Sequence, residues 1–208
     1  AKARKQYEAD CTRLHALRVK KAQELEKLIL IQLKDLQLPN ARFHVELEAF
    51  EGNAAGNDKI TFLVSMNAGE RLRPLQAAAS GGELSRFMLG LKTVFTGLTG
   101  IDTIIFDEID TGVSGSVAFA IGKKMRQLAQ HTQVFCVTHL ASVAACAAQH
   151  YVVEKHQDRE HTTTTIRLLD EQERVEEMAI IAGGSVSDTA LRASQELYDK
   201  ARQETGNN

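Results

Sequence analysis

The stretch Ser80-Gly81-Gly82-Glu83-Leu84-Ser85-Arg86 decides how the rest of the chain is interpreted. Its two glycines let backbone amides approach a ligand closely, and the residues after them have helical periodicity. A helix that begins here directs its free amide groups and the positive end of its dipole at whatever lies in front of it. The stretch therefore predicts a binding site for an anion such as a phosphate group.

A second motif follows this predicted helix. A strand-like apolar run over residues 102–106 is followed by two adjacent acids, Asp107 and Glu108. One carboxylate at a strand end can organise Mg²⁺, and its neighbour can orient a water molecule for attack on a phosphorus atom. A strand end with a solvated turn is the structural alternative, but two acids directly after a buried-type strand favour a functional role. ATP and Mg²⁺ are the expected cofactors.

A third motif is the strand-like run over residues 133–138, which is followed by His139. A single histidine at a strand end is more often structural, but its position after the acidic strand favours a role at the same site. Helical periodicity over residues 116–129 separates the two apolar strands. Strand, helix and strand in this order predict a parallel crossover.

One expected motif is missing. The chain nowhere contains Gly-x-x-x-x-Gly-Lys-Ser/Thr, the loop that wraps the phosphates in P-loop enzymes. The nearest approach, from Gly115 to Lys124, has the wrong spacing, lacks the Ser/Thr and has a helical pattern between its glycines. The sequence therefore supplies residues for hydrolysis without the loop that binds the triphosphate.

The N-terminal part has a different character. Residues 1–36 contain neither Gly nor Pro and place apolar residues at steps of three and four, which predicts a long amphipathic helix of the coiled-coil type that ends at Pro39 and Asn40. Residues 42–50 and 59–66 alternate apolar and polar side chains around a turn-rich segment, which predicts a β-hairpin. The remaining predicted elements are the signature helix 82–96, a helix after His139, strands 151–154 and 162–169, and helices 174–182 and 187–203.

Composition narrows the class of protein. The chain has 208 residues, 43% of them hydrophobic, and a net charge of -2, with nine Lys/Arg against five Asp/Glu in residues 1–36. That basic excess fits a solvated helix face, although contact with a nucleic-acid backbone is also allowed. Three cysteines in no Cys-x-x-Cys arrangement indicate buried thiols instead of disulfides or zinc. Without a bilayer-length apolar run or a signal peptide, we expect a soluble cytoplasmic protein.

The order of these motifs resembles the C-terminal half of an ABC-type ATPase head of the SMC kind. The run Phe106-Asp107-Glu108-Ile109-Asp110-Thr111-Gly112-Val113-Ser114-Gly115 and the run Cys136-Val137-Thr138-His139-Leu140-Ala141-Ser142-Val143-Ala144 are similar to the RecN family of bacterial DNA-repair proteins. The resemblance covers nearly the whole chain. It implies an α/β fold, with residues 1–38 as the end of a coiled-coil arm and 39–208 as the C-terminal lobe of the head.

The resemblance also implies roles for the signature residues. Ser80, Gly81, Gly82 and Glu83 would cap the γ-phosphate of an ATP molecule held by a second head, with the Ser80 hydroxyl and the glycine amides as donors. The family usually has Leu before the signature serine, where this chain has Ala79, and this difference is minor.

At the strand ends, the resemblance assigns Asp107 to Mg²⁺, usually through water, and Glu108 to the general base for the attacking water. His139 would contact the γ-phosphate and sense whether it is still attached. Residues 110–115 would form the loop that crosses between two heads. That loop often ends in Asp, where this chain has Ser114, so the contacts across the dimer are less closely matched.

The resulting prediction is the C-terminal half of an ATP-hydrolysing head that acts in DNA double-strand break repair and recombination. The expected partners are the N-terminal half of the same head, which carries the phosphate loop, a second head in a homodimer, and DNA, with no membrane partner. The isolated chain is expected to be inactive. Two alternatives are the nucleotide-binding part of an ABC transporter, which the long charged helix disfavours, and a dimerisation module.

Overall fold

The structure is a computed structural model that describes residues 1–77, 81–96, 100–107, 109–157 and 161–206. The chain divides into two compact units, Ala1–Val94 and Phe95–Asn208. None of the described helices combines the length and apolar character needed to cross a bilayer.

The first unit begins with the long helix α1, Lys2–Asp35, as predicted. Its end lies within one residue of the predicted range of 1–36, because the helix stops at Asp35 and Leu36 is its C-cap. Gln37 adopts a left-handed conformation with φ 59°, and the amides of Gln37 and Leu38 donate to the carbonyls of Lys34 and Leu33 at 3.1 and 2.8 Å. These two bonds form a Schellman motif with glutamine where glycine is usual.

The predicted hairpin is present, with a tighter connection than its turn-rich sequence indicated. Strands β1, Arg42–Asn53, and β2, Gly56–Ser65, pair in antiparallel register, with Asn53 opposite Gly56 and a register shift between Ala49 and Asn53. A short edge strand that the sequence did not predict, β3, Arg73–Pro74, pairs with β2 and precedes a 3-10 turn at Leu75–Ala77. Proline fits an edge strand because it has no amide to donate.

The core of the first unit joins α1, the hairpin and the signature helix α2, Gly81–Phe95. Phe87 of α2 is fully buried and its ring lies 5.8 Å from that of Phe43 on β1. At Gly90 the absence of a side chain lets α2 approach α1, since a Cβ there would lie 3.3 Å from Gln32 and 3.5 Å from Leu33. The signature helix is therefore anchored on the end of the long helix.

The second unit contains the predicted crossover. Strands β4, Thr103–Phe106, and β5, Gln133–Cys136, are parallel, with Phe106 opposite Cys136, and helix α3, Gly115–Leu128, connects them. β5 ends two residues earlier than the apolar run predicted. Within the described residues this sheet has only these two strands.

The rest of the second unit covers α3 with helices. The helix after His139, α4, has only four residues, Ala141–Ala144, and is followed by an antiparallel pair of strands. Two final helices pack on α3 and α4 around Phe119, Met178 and Tyr198. These last elements are β6, Tyr151–Gln157, β7, Thr162–Leu168, α5, Glu171–Gly183, and α6, Asp188–Thr205.

Helix α5 starts three residues earlier than predicted because of a capping box. The Asp170 carboxylate accepts the Glu173 amide at 2.8 Å, and the Glu173 side chain accepts the Asp170 amide at 2.9 Å. Each side chain satisfies an amide that the first turn of a helix leaves free. Asp-x-x-Glu before an apolar pattern is a sequence signal for the start of a helix. The apolar periodicity alone placed that start three residues too late.

Candidate functional site: the signature helix and the acidic strand ends

The described part of the signature lies in the first turn of α2. Ser80 and Ala79 lie outside the described residues, while Gly81, Gly82 and Glu83 form the helix start. Apart from its chain neighbours and its own helix backbone, no atom of the described residues lies within 4 Å of the position that a Cβ on Gly81 would take. Because the first amides of a helix have no partner within the helix, this turn can donate hydrogen bonds to a phosphate.

Ser85 and Arg86 hold the signature turn in place. The Ser85 hydroxyl donates to the Gly81 carbonyl at 2.9 Å, and Arg86 Nε donates to the Gly82 carbonyl at 3.4 Å. Arg86 also reaches the Leu36 carbonyl at the end of α1 with its Nη1, at 3.4 Å. Burial lowers the pKa of the Arg86 guanidinium. The second serine and the arginine of the motif therefore hold the turn through the carbonyls of its two glycines.

In the second unit, the acidic strand end and the histidine strand end are adjacent. The amide of Val137 donates to the carbonyl of Phe106 at 2.9 Å, which extends the parallel pairing to the last residues of both strands. Asp107 and the Thr138–His139 pair therefore leave the sheet at the same edge, where the carboxyl ends of parallel strands place ligand-binding residues. Both Asp107 and His139 are exposed. Glu108 lies outside the described residues.

The geometry around Asp107 fits the way Mg²⁺ is usually held. No group of three or more His, Cys, Asp or Glu residues in the described part could hold a metal ion by itself. Mg²⁺ commonly keeps several waters and uses one or two carboxylates together with substrate phosphates. A single exposed carboxylate at a strand end, such as Asp107, is compatible with that mode of binding.

A buried acid that the sequence did not single out lies behind this edge. Asp110 is only 1% exposed, its carboxylate accepts a hydrogen bond from the Thr138 hydroxyl, and its Oδ1 lies 3.6 Å from His139 Nδ1. The pKa of the nearby Cys136 thiol is raised to about 12. Burial is the larger cause, and the negative charges of Asp110 and Asp107 add to it. Cys136 is therefore a neutral thiol, and Cys11, Cys136 and Cys146 are free cysteines in this structure.

The loop after Asp110 leads directly into α3. Gly112 and Gly115 have φ angles of 72° and 54°, which only glycine adopts readily, and Ser114 is the N-cap of α3 without a capping bond from its side chain. After Asp110 this loop has no charged side chain. Ser114 occupies the position at which the similar family often has Asp.

Comparison with known proteins gives relatives that are named DNA repair protein RecN. No family model matches the chain. It is 38% identical over 192 residues to the DNA repair protein RecN of Vibrio cholerae and 40% identical over 200 residues to that of Halalkalibacterium halodurans, matches that cover 91% and 93% of this chain and 35% of each relative. The Bacillus subtilis protein of the same name is 46% identical over 149 residues, 71% of the chain. The chain spans about a third of the length of the first two relatives.

Solved structures give the same fold. An SMC head domain with a coiled coil and joint from Pyrococcus yayanosii matches with a TM-score of 0.54 at 16% identity, over 89% of this chain and 30% of that one. A chain from a study of ATP-driven dimerisation and DNA-stimulated activation of SMC ATPases matches with a TM-score of 0.51 at 14% identity, over 80% of this chain and 96% of that one. At these identities the likeness establishes an SMC-head fold for the chain.

Proposed function

Because the chain belongs to the RecN family and spans about a third of the length of the curated members that it matches, we propose that it is the C-terminal lobe of an ATP-hydrolysing head. We propose that this head acts in DNA double-strand break repair and recombination. The single observation that carries this proposal is the shared edge of β4 and β5, where Asp107 and His139 leave parallel strands side by side. A cytoplasmic location fits this role.

Different residues of this chain would bind the γ-phosphate and hold Mg²⁺ during ATP hydrolysis. The hydroxyl of Ser80 and the amides of Gly81, Gly82 and Glu83 would donate to the γ-phosphate of ATP bound by a second head. Asp107 would hold Mg²⁺, which supplies neutralisation of phosphate charge when bound.

Glu108 would take a proton from the attacking water, and His139 would contact the γ-phosphate. Because phosphoryl transfer depends on positioning and charge neutralisation more than on covalent chemistry, the placement of these groups would contribute much of the rate, in addition to the proton transfer to Glu108.

The missing partner is the half of the head that carries the phosphate loop. The outer face of the β4–β5 sheet exposes Ile105, Phe135 and Val137, with Ile105 at 70% and Val137 at 61% exposure. One face of the β6–β7 hairpin likewise exposes Val153 and Ile166. Contiguous exposed apolar side chains on paired strands are typical of surfaces that another element covers. We assign the N-terminal half of the same head to the β4–β5 face.

The further partners are a second head and DNA. The solved SMC ATPase chain is described by ATP-driven dimerisation and DNA-stimulated activation, and a homodimer of heads that acts on DNA is the corresponding proposal here. The transporter alternative is disfavoured by the three relatives described above, each of which is named DNA repair protein RecN. A dimerisation module without turnover remains the description proposed for the chain alone, because the sequence has no phosphate loop.

A nucleotide titration tests this proposal. The chain alone should bind ATP weakly and not hydrolyse it, because signature and acids without a phosphate loop leave the triphosphate uncradled. Adding the phosphate-loop half of the head should produce tight binding and magnesium-dependent hydrolysis. Substantial magnesium-dependent ATPase of the purified chain alone, abolished by Glu108→Gln, would contradict the proposal.

Two surface variants, used in the same titration, test whether the phosphate-loop half covers the β4–β5 face. Ile105→Glu places a charge on the exposed face of β4–β5 and should prevent the gain in ATP binding. Val186→Glu changes another exposed apolar residue, which is 50% exposed between α5 and α6, and should leave the gain intact. Equal behaviour of the two variants would mean that the phosphate-loop half does not cover this face.

A further inference from the structure

Asp110 combines deep burial with an incomplete set of hydrogen bonds. Its Oδ2 accepts the Thr138 hydroxyl, while its Oδ1 has no hydrogen-bond partner among the described residues. A buried carboxylate oxygen without a donor is costly, and native structures keep such groups rarely. The feature therefore calls for an explanation in terms of what Oδ1 faces.

Oδ1 faces the ring of His139. Nδ1 of His139 lies 3.6 Å from Oδ1, just beyond hydrogen-bond distance, and the His139 side chain is 71% exposed. A small rotation of this exposed ring would bring Nδ1 into contact with Oδ1. The backbone is already held for such a contact, because the Thr138 hydroxyl that donates to Asp110 also accepts the Leu140 amide at 3.0 Å. Asp110 thus holds Thr138, and Thr138 in turn holds the Leu140 amide on the other side of His139.

We propose that Asp110 is a positioning residue for His139: its carboxylate accepts a hydrogen bond from Nδ1–H and so turns Nε2 outward, toward the ligand. This inference rests on the proposed contact between His139 and the γ-phosphate. A carboxylate beside Nδ1 selects which ring nitrogen carries the proton, and it fixes the direction in which Nε2 points. The loop residue Asp110 therefore acts on the phosphate through the histidine.

A purely structural role for Asp110 makes a different prediction, and the variant Asp110→Asn separates the two. Asparagine has the same size and can still accept the Thr138 hydroxyl through its amide oxygen, so a structural role would leave activity nearly unchanged. A positioning role requires the carboxylate itself. Carboxylates that orient metal-bound histidines account for about 10- to 100-fold of function, and we expect a loss of turnover on that scale here.

The test is a double-mutant cycle on the chain assembled with the phosphate-loop half. Asp110→Asn should lower ATP turnover by about tenfold or more while ATP affinity changes by less than about threefold, and it should add almost nothing in a His139→Ala background, because both changes remove the same contact. Asp102→Asn, an exposed aspartate before β4, is the matched control and should be neutral. Full additivity of Asp110→Asn and His139→Ala would overturn the proposal.

Nitrogen NMR of labelled histidine gives a readout that does not depend on turnover. In the neutral ring of His139, the proton should reside on Nδ1 in the parent protein and shift toward Nε2 in Asp110→Asn. An unchanged ring would overturn the proposal even if activity falls. If His139→Ala hydrolyses ATP normally while the ring signal does shift, then the proposed phosphate contact of His139 fails and the positioning of the ring by Asp110 stands.

Discussion

At the scale of single residues, two buried carboxylates show how partners determine the role of an acid. Asp58, in the hairpin, receives His15 Nδ1 at 2.6 Å and Arg18 Nη1 at 3.0 Å, and its side chain is only 4% exposed. Arg18 also donates to the Ala55 carbonyl at 2.7 Å. Asp58 is thus fully engaged in tying the hairpin to α1. Oδ1 of Asp110 has no hydrogen-bond partner among the described residues, which is why we assign Asp110 a functional role and Asp58 a structural one.

The pKa of Asp58 leads to a prediction about stability. The hydrogen bond from His15, followed by that from Arg18, lowers the pKa of this carboxyl below its ordinary value of 3.8. A lowered pKa means that the ionised form stabilises the fold, so this contribution is complete above the unfolded-state pKa and is lost as the pH falls through the folded-state pKa. Asp58→Asn should therefore lower the free energy of unfolding at neutral pH by about 1 to 2 kcal/mol.

Denaturant unfolding at two pH values checks this expectation. The difference between Asp58→Asn and the parent should be full at neutral pH and should shrink below about pH 4. Asp10→Asn is the control, because Asp10 is half exposed and its ion pair with Arg13 is long, at 3.9 Å, so its effect should stay within about 0.5 kcal/mol. A difference for Asp58→Asn that is independent of pH would show that its charge contributes nothing.

At the scale of elements, the contact between α3 and α4 depends on one glycine. A Cβ at Gly122 would lie 2.9 Å from the buried Cys146 Sγ and 3.2 Å from the Val143 Cα. Gly122→Ala gains helix propensity of about 1 kcal/mol, but the overlap involves backbone that cannot move freely. We expect a net loss of about 1 to 3 kcal/mol.

Thermal or denaturant unfolding measures this loss against a matched variant. Gly183→Ala also changes a helical glycine, near the end of α5, and nothing lies within 4 Å of its Cβ position, so it should be neutral or slightly stabilising. Equal stabilities for the two alanine variants would mean that α4 shifts to accommodate the methyl group.

The elements that the sequence predicted well are those with a strong local pattern. The periodicity of α1 and the continuous apolar runs of β4 and β5 were sufficient to place these elements. The expected burial of both strand faces is not met within this chain, because Ile105 and Phe135 are exposed. The length of α4 was not predictable in this way. Its alanine-rich sequence favours a longer helix, but Arg174 donates to the carbonyls of Ala147 and Ala148 at 2.7 and 3.3 Å, and a contact over 26 residues leaves no local signal.

The candidate site was predictable to a similar degree. The acids and the histidine follow apolar strands, and parallel pairing brought Asp107 and His139 to one edge as expected. The predictions for Ser80 and Glu108 lie outside the described residues. The burial of Asp110 could not be predicted, because an aspartate in a glycine-containing loop is ordinarily solvated. Its buried carboxylate accepts a hydrogen bond from the Thr138 hydroxyl, which lies 28 residues further along the chain, just after β5.

At the scale of the whole molecule, the proposed function makes this chain half of a catalytic site for ATP hydrolysis. The chain supplies signature, acids and histidine, and it exposes apolar faces on both sheets of its second unit. Exposed strand faces and unpaired strand edges favour association. Assembly with the phosphate-loop half is therefore expected to complete the catalytic site and cover the β4–β5 face together.

The most direct test of the central claim is the ATPase activity of Glu108→Gln in the assembled head. The amide keeps the shape of the side chain but cannot accept a proton from water, so ATP binding should be retained while hydrolysis falls by about 100-fold or more. Glu154→Gln, which changes an exposed residue on β6, should hydrolyse ATP like the parent. Hydrolysis by Glu108→Gln within about threefold of the parent would contradict the account, because loss of a general base typically costs far more.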